Sequence, residues 1–372
     1  AFYSVAISDF DFDGRPDIVM GGTANTNNFV YLFRNNSFSG TMSFSAASSI
    51  PTLYYSYSLA VGDMDGDGKP DIVTAHQYNA SYNPSYYNLC VLRNTSTGPG
   101  SIAFGSVVQY YNGSYQSDGL ALGDFNGDGK LDIATANYPN GNALILPNTA
   151  TSGTINSSSF GTYFTLQPGG SGTEAVAIGD MNGDGKPDLI AAAYNATVVS
   201  VFKNASTSTA ISFGNYVSYT DPVGSNGTTA INNVSLVDLN NDGFLDIVRC
   251  NYNTSNLSIF RSVAITPPVL ITDFTPKQGP ISTTVAITGG GFNVNPVSNT
   301  VFFGSTAGTV QAGSTSTTLL VTVPYGANYQ YLSVTNLDTK QTGYSLRPFI
   351  VTYPTPLGVF NQFAPAVSVG SG

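Results

Sequence analysis

Charge is scarce in this sequence. Its 372 residues include only 12 Lys and Arg, 22 Asp and Glu, and one His. Proteins that bind nucleic acid neutralise phosphates with clustered Lys and Arg, whereas here a net charge of −10 accompanies a few scattered cations. We therefore expect no nucleic-acid partner.

Tryptophan is absent, and two cysteines, Cys90 and Cys250, are too few for a disulfide scaffold. No apolar run approaches the roughly 20 residues of a membrane helix, so we expect no membrane span. The first residues, 1–4, lack Met, a basic segment and an apolar segment, which is typical of a processed or trimmed chain. Disorder is not expected, because 23 Tyr and 22 Phe supply bulk for a core.

One nine-residue phrase occurs five times. Its copies begin at Asp9, Asp63, Asp124, Asp180 and Asp238, which are 54, 61, 56 and 58 residues apart. Such periods indicate stacked supersecondary units. An alternating, strand-like run precedes each copy and further runs follow it, which gives four short strands per repeat and no helical period. The sequence predicts an all-β fold with a five-bladed β-propeller over residues 1–265, unless the chain is a fragment of a larger ring. Because the fifth repeat ends near Ile265, we expect its blade to lack a strand.

A second domain is predicted over residues 266–352. Thr266, Pro267 and Pro268 interrupt the repeat pattern, and short alternating runs separated by Gly, Pro, Ser and Asn follow. About 85 residues of this kind suit an immunoglobulin-like β-sandwich. Residues 353–372 form a tail. Phe360, Phe363 and the alternating Val367 and Val369 predict that it docks as an intersubunit strand, with a linker to a further domain as the alternative.

The repeated phrase is a candidate calcium loop. Ca²⁺ takes six to eight oxygen ligands, and the pattern D-x-[DN]-x-[DN]-G places side-chain oxygens at positions 1, 3 and 5 before a turn glycine. Position 9 is always Asp, and position 7 could contribute its backbone carbonyl. The turn-forming tendency of Asp, Asn and Gly is the alternative explanation. The predicted ligands, at positions 1, 3, 5, 7 and 9, are Asp9, Asp11, Asp13, Arg15 and Asp17; Asp63, Asp65, Asp67, Lys69 and Asp71; Asp124, Asn126, Asp128, Lys130 and Asp132; Asp180, Asn182, Asp184, Lys186 and Asp188; Asp238, Asn240, Asp242, Phe244 and Asp246.

Charge supports this interpretation. The five loops contain 17 of the 22 acidic side chains, and crowded carboxylates repel one another unless a cation lies among them. Up to five Ca²⁺ would balance the formal charge of −10. Mg²⁺ is the weaker candidate, because it gives up water reluctantly and demands tight octahedral geometry.

The loop pattern, with its flanking strands and the Phe-Gly pairs at 104, 160 and 213, resembles the FG-GAP/VCBS repeats of integrin α-subunit-type propellers over about residues 1–265. That resemblance implies that each loop joins the first two strands of a blade and binds Ca²⁺. Residues 268–352 are similar to IPT/TIG domains, on the strength of segments 271–280, 285–292 and 321–324. The combination resembles secreted or surface-exposed bacterial proteins, and neither family fixes a function.

Catalysis has few candidate residues, and we expect no enzyme. His76 is expected in a solvated connecting loop, and Glu174 is the only Glu. Outside the loops the acids are Asp118, Asp221, Asp273 and Asp338 besides that Glu. Cys90 and Cys250 are expected on strands of blades too far apart for a disulfide bond.

Eleven N-x-[ST] sequons are candidate glycosylation sites, conditional on a host that attaches glycans, although turns favour Asn in any case. They lie at Asn35, Asn79, Asn94, Asn112, Asn156, Asn195, Asn204, Asn226, Asn233, Asn253 and Asn256.

The leading hypothesis is a secreted, calcium-stabilised structural or adhesive protein of the cell surface, one subunit of a larger extracellular assembly or fibre. Its expected partners are copies of itself or other surface proteins, and glycans are a further class. A carbohydrate-binding, lectin-like module is the alternative, and it would need repeated Tyr-lined hollows at equivalent blade positions. A secreted polysaccharide-degrading enzyme comes third, and it would need a conspicuous pocket.

Overall fold

The computed structural model describes residues 2–22, 29–52, 55–76, 88–111, 116–138, 140–194, 198–220, 231–240, 244–251, 256–262, 269–327 and 330–352. Their regular structure is β-strand, apart from one 3₁₀ turn over Pro296–Ser298. The expected all-β class is confirmed. Within these ranges there is no helix that could cross a membrane.

Five small antiparallel sheets follow one another along the chain and form the blades. Blade 1 contains β1 (Phe2–Ser8), β2 (Asp17–Gly22), β3 (Phe29–Phe33) and β4 (Ser48–Pro51). Blade 2 contains β5 (Ser56–Gly62), β6 (Asp71–His76), β7 (Leu89–Leu92) and β8 (Val108–Tyr110). Blade 3 contains β9 (Gly119–Gly123), β10 (Asp132–Asn137), β11 (Asn142–Leu146) and β12 (Phe164–Leu166). Blade 4 contains β13 (Thr173–Gly179), β14 (Asp188–Ala193), β15 (Val198–Asn204) and β16 (Phe213–Thr220). The described part of blade 5 contains three strands, β17 (Ile231–Val237), β18 (Asp246–Asn251) and β19 (Asn256–Phe260).

Each repeated loop lies at the turn between the first two strands of its blade. In blade 2 the last pair of the β5–β6 ladder is Gly62 with Asp71, so the phrase from Asp63 onward is the connection. Blades 1, 3, 4 and 5 have the equivalent pair at the same place. The short apolar runs on either side form the strands because their β-branched and small residues suit a sheet that is covered on both faces.

Apolar clusters join consecutive blades. Val19 of blade 1 packs with Leu59 and Ile72 of blade 2. Three further clusters join blades 2 and 3, blades 3 and 4, and blades 4 and 5. No cluster within the described ranges joins blade 5 to blade 1. Within the described residues, four such junctions therefore join the five blades in series.

A repeated asparagine at the end of the third strand reinforces these junctions. The Asn94 side-chain amide of blade 2 donates to the Phe10 carbonyl of blade 1 at 2.9 Å. Asn148 and Asn204 reach back in the same way, to Met64 at 2.8 Å and to Phe125 at 2.9 Å. The amide of Asn35 in blade 1 donates within its own blade, to the Pro16 carbonyl at 2.9 Å.

The C-terminal strands form a separate sandwich with its own core. They are β20 (Leu270–Thr275), β21 (Gln278–Gly279), β22 (Thr284–Gly290), β23 (Asn299–Phe303), β24 (Thr306–Val310), β25 (Thr318–Thr322), β26 (Gln330–Asn336) and β27 (Gln341–Val351). Their pairing order is β20-β22-β25-β24-β23-β26-β27-β21, and β20 also contacts β27, so the sheet closes over one apolar core. This arrangement fits the predicted immunoglobulin-like domain. The predicted junction at 266 and the tail 353–372 lie outside the described residues.

His76 is not a solvated loop residue, so that expectation was wrong. It is the last residue of β6, pairs with Ser56 in the ladder and is 2% exposed. Its Nε2 lies 2.9 Å from the Thr74 hydroxyl. The prediction failed because β6 extends one residue further than the sequence indicated. Cys90 and Cys250 lie on β7 and β18, as expected, and no disulfide bond joins them in the described part of the chain.

We predict that Asn94→Ala lowers the free energy of unfolding by about 1–3 kcal/mol, because it leaves the buried Phe10 carbonyl without its donor from the next blade. Chemical denaturation at fixed calcium measures the effect. Asn233→Ala is the control, because Asn233 is exposed and should change stability little. Equal stability of the two variants would contradict the inter-blade role.

Candidate metal centres

The first aspartate of each well-described loop organises the turn through its own carboxylate. In loop 1, Asp9 Oδ2 accepts from the Gly14 backbone N–H at 2.9 Å and Oδ1 accepts from that of Asp13 at 3.2 Å. Asp63, Asp124 and Asp180 make the same pair of bonds in loops 2, 3 and 4. The glycine at position 6 has φ between 80° and 90° in all four loops, a left-handed conformation that a side chain would strain.

The last aspartate of each loop connects it to the third strand. In loop 2, Asp71 Oδ2 accepts from Met64 N at 2.9 Å and Oδ1 accepts from Asn94 N at 2.7 Å. The same two bonds recur at Asp17, Asp132, Asp188 and Asp246. The sequence identified this carboxylate only as a metal ligand, and the structure gives it a second task in holding the blade together.

Carboxylates converge in loops 1 and 2. Oxygens of Asp9, Asp11 and Asp17 lie within 4.8 Å of one another, as do those of Asp63, Asp65 and Asp71. An all-oxygen set of this size and charge fits a hard cation such as Ca²⁺. These residues would hold the ion, and it would supply positive charge among the crowded carboxylates.

Burial raises the pKa of the last aspartate in four loops, since desolvation penalises the charged form and backbone hydrogen bonds only partly offset it. The pKa is raised to about 7 for Asp17, about 8 for Asp71, about 7 for Asp132 and about 6 for Asp188. The pKa of Asp9 is likewise raised to about 6, mainly by burial. Such carboxyls are costly to ionise without a cation, which further fits the donor set to a metal.

Position 5 faces a protein cation in three loops. Arg34 Nε lies 2.7 Å from Asp11 Oδ2, and its Nη2 contacts Asp13. Arg93 bridges Asp65 and Asp67 in the same way, and Lys203 Nζ lies 3.1 Å from Asp184. Our sequence reasoning missed these cations. The signal was present, because each basic residue immediately precedes the repeated asparagine at the end of the third strand.

The remaining predicted ligands differ in how they are placed. Asn126 donates to Asp128 at 3.2 Å, and its Oδ1 accepts from the Asp128 backbone N–H at 3.3 Å. Asn182 donates to Asp188 at 2.9 Å. Arg15 contacts Asp13, and Lys186 Nζ donates to the Ser206 carbonyl. Carbonyl ligation by position 7, at Arg15, Lys69, Lys130, Lys186 and Phe244, stays a prediction. In loop 5 Asp238, Asn240 and Asp246 are described, whereas Asp242 lies outside the described residues.

Three of the glycosylation candidates were wrong. Asn35, Asn94 and Asn204 are buried, and their amides donate to backbone carbonyls, so no glycan can be attached in the folded protein. These three sequons are copies of the repeated asparagine at the end of the third strand, which bonds to the backbone in each blade. Asn156 and Asn233 are exposed and Asn256 is half-buried. The other candidates, Asn79, Asn112, Asn195, Asn226 and Asn253, lie outside the described residues.

Four side chains from equivalent positions of the first strands form a second cluster, at the strand ends away from the loops. Tyr3 and Tyr57 stack, with ring centroids 4.6 Å apart. Burial raises the pKa of Tyr57, and the charges of Asp118 and Glu174 raise it further. Tyrosine occupies this position in blades 1 and 2, and carboxylates replace it in blades 3 and 4. The repeated Tyr-lined hollows of the lectin hypothesis are therefore not formed by this set.

Comparison with known proteins agrees with this architecture. The profile of the FG-GAP-like repeat matches residues 9–74, 124–191 and 180–249, and that of the IPT/TIG domain matches residues 268–349. No curated protein matches the chain.

Among solved structures, an Agrocybe aegerita lectin specific for non-reducing terminal N-acetylglucosamine is 18% identical with a TM-score of 0.42, over 76% of this chain and 62% of the lectin. A Lactobacillus plantarum protein is 14% identical with a TM-score of 0.43, over 88% of this chain and 86% of its own. The rhamnogalacturonan lyase of Bacillus licheniformis is 12% identical with a TM-score of 0.37, over 94% of this chain and 72% of the lyase. At these identities the likeness concerns the fold alone.

We predict a pH-dependent stability from Asp118. Burial raises its pKa to about 6, although Gln116 donates to both of its oxygens. Because this pKa lies above the value of about 3.9 in an unfolded chain, the contribution to stability is fully present below about pH 4 and is lost as the pH rises through about 6. Asp118→Asn stays neutral, so its free energy of unfolding should exceed that of the wild type increasingly from pH 4 to pH 7. Denaturant unfolding at both pH values measures this, and a difference that does not change with pH would contradict it.

Proposed function

The chain belongs to the FG-GAP-like repeat family and carries a C-terminal IPT/TIG domain, and we propose that it is a secreted, calcium-stabilised structural or adhesive surface protein that assembles with copies of itself. Domains of both kinds are typical of extracellular proteins. The observation that carries the assembly proposal is the pair of exposed apolar faces on blades 1 and 5.

The first face lies on β1. Leu59 and Val61 of blade 2 pack into the junction with blade 1, and the corresponding residues of blades 3, 4 and 5 pack into the preceding junctions. Their equivalents in blade 1, Val5 and Ile7, are 61% and 64% exposed. Exposing a strand face of this kind to water is costly, which makes it a surface suited to a partner.

The second face lies on blade 5. Val199 and Val201 of blade 4 pack into the junction with blade 5. Their equivalents, Leu257 and Ile259 on β19, are 60% and 57% exposed. Blade 5 thus exposes the surface that packs against the following blade elsewhere in the chain. The face on β1 is the surface that packs against the preceding blade.

A second copy of this chain supplies the complement of each face. The β1 face of one copy would dock on blade 5 of the next, as consecutive blades pack within the chain. The two surfaces differ, so the contact is heterologous and extends into a ring or an open fibre. The predicted docking of the tail, residues 357–372, stays a further prediction about the same assembly.

We propose no catalytic role. Outside the loops, the described acidic residues are Asp118, Glu174, Asp273 and Asp338. The shallow pocket beside Asp273 and Lys277 in the sandwich contains one carboxylate, whereas acid–base hydrolysis of a glycoside uses two.

We predict that calcium stabilises the propeller. At ten times Kd each occupied site adds about 1.4 kcal/mol, and five sites add about 7 kcal/mol, because the ion binds the folded loops in preference to the unfolded chain. Chelator should therefore lower the melting temperature. Asp67→Ala and Asp128→Ala should each lower the calcium stoichiometry by one, whereas Asp338→Ala should leave it unchanged. A melting temperature that is insensitive to chelator would overturn the calcium proposal.

For the assembly we predict that Val5→Asp with Ile7→Asp, and separately Leu257→Asp with Ile259→Asp, give folded monomers in millimolar calcium. Each double variant retains one intact face, so an equimolar mixture should form a dimer and nothing larger. Sedimentation velocity distinguishes these species. Val294→Asp, at an exposed site of the sandwich, is the control that should assemble like the wild type. A monomeric wild-type chain, or a mixture that stays monomeric, would overturn the proposal.

A further inference from the structure

The sandwich contacts the propeller at loop 4. The Thr342 hydroxyl at the start of β27 donates to Asp180 Oδ2 at 2.9 Å. The Tyr344 hydroxyl, two residues further along the strand, donates to the backbone carbonyl of the same aspartate at 2.7 Å. Asp180 is the first ligand position of loop 4, so two hydrogen bonds from the second domain end on a residue of a candidate metal centre.

The backbones are also close at this contact. A Cβ added at Gly183 would lie 3.4 Å from the Thr342 nitrogen, and one added at Gly185 would lie 3.0 Å from Thr335 Cγ2. The buried hydroxyls of Thr335 and Thr342 are 2.7 Å apart. Thr342 donates its one hydroxyl proton to the carboxylate, so its oxygen accepts from the Thr335 hydroxyl. A continuous chain of hydrogen bonds therefore runs from β26 through β27 to loop 4.

Loop 4 differs in this respect from loop 3. The carboxylate of Asp124, which is equivalent to Asp180, accepts from Gly127, Asp128 and Gly129 of its own loop. Asp180 accepts the same three bonds and, in addition, one from the Asn182 backbone N–H and one from the Thr342 hydroxyl. Tyr344 is half-buried, and its hydroxyl lies near the charges of Asp180, Asp188 and Asp238, which belong to loops 4 and 5.

We infer that loop 4 is shared by both domains, with Thr342 and Tyr344 as positioning residues for Asp180, so that calcium bound there fixes the sandwich on the propeller. This inference rests on the proposed calcium binding. An ion in loop 4 needs Asp180 in one position, and so does the contact with β27. Each event therefore favours the other, and by linkage the two effects are equal in size.

Hydrogen exchange of the full chain tests the first direction. Calcium should slow exchange of amides in loop 4 and at 341–346 of β27. Asp184→Ala removes the position 5 ligand of loop 4, and Asp128→Ala removes the same ligand of loop 3. Asp184→Ala should abolish the calcium-dependent protection at 341–346, whereas Asp128→Ala should retain it. Equal protection at 341–346 in both variants would overturn the inference.

Calcium titration tests the reverse direction. Thr342→Val and Tyr344→Phe each remove one hydroxyl with little change of shape, and each should weaken one calcium site by about tenfold while the others are unchanged, as expected for loss of a hydrogen bond to a charged loop. Thr309→Val, at an exposed position of β24, is the control.

The two proposals fail in different ways. A wild-type chain that binds no calcium would overturn both of them. A wild-type chain that binds calcium, with all its sites unaffected by Thr342→Val and Tyr344→Phe, would overturn only the shared loop.

Discussion

A buried carboxylate with two backbone donors holds each blade together. In blade 2, Asp71 at the start of the second strand accepts from the second residue of its loop and from Asn94, two residues after the third strand, so that one side chain connects the loop with these two strands. Removing a charge from water is costly, and the raised pKa of this group expresses that cost. A cation in the loop would offset that cost, and the stability of the sheet and the binding of metal would then depend on the same side chain.

The same loops connect one blade to the next. The carbonyl of the second loop residue faces outward from the blade and accepts the repeated asparagine of the following blade, as Phe10 does from Asn94. A change in loop geometry is therefore transmitted to the neighbouring junction, together with the apolar contacts that surround it. The contact of Thr342 with Asp180 extends this dependence to the second domain.

Periodicity made the propeller, its loops and its strands predictable, because alternation and spacing are local properties of the chain. Burial was harder to predict. Asn94 matches the N-x-[ST] sequon, yet its side chain is buried and donates to the preceding blade. The sequence pattern is the same for both roles, and only the register of the third strand distinguishes them. His76 was misplaced because the end of β6 is set by pairing with Ser56. The contact between Asp180 and Thr342 spans 162 residues, and neither side chain stands out in its own segment.

The two uncovered faces differ from each other, and this gives any row of subunits a direction. Identical faces would satisfy one another in a closed pair and leave nothing to extend. Here one terminus of the row would always expose the strand with Val5 and Ile7, and the other would always expose the strand with Leu257 and Ile259. Such a row has polarity, so a single molecule that matches one terminus could stop or start its growth without affecting the other.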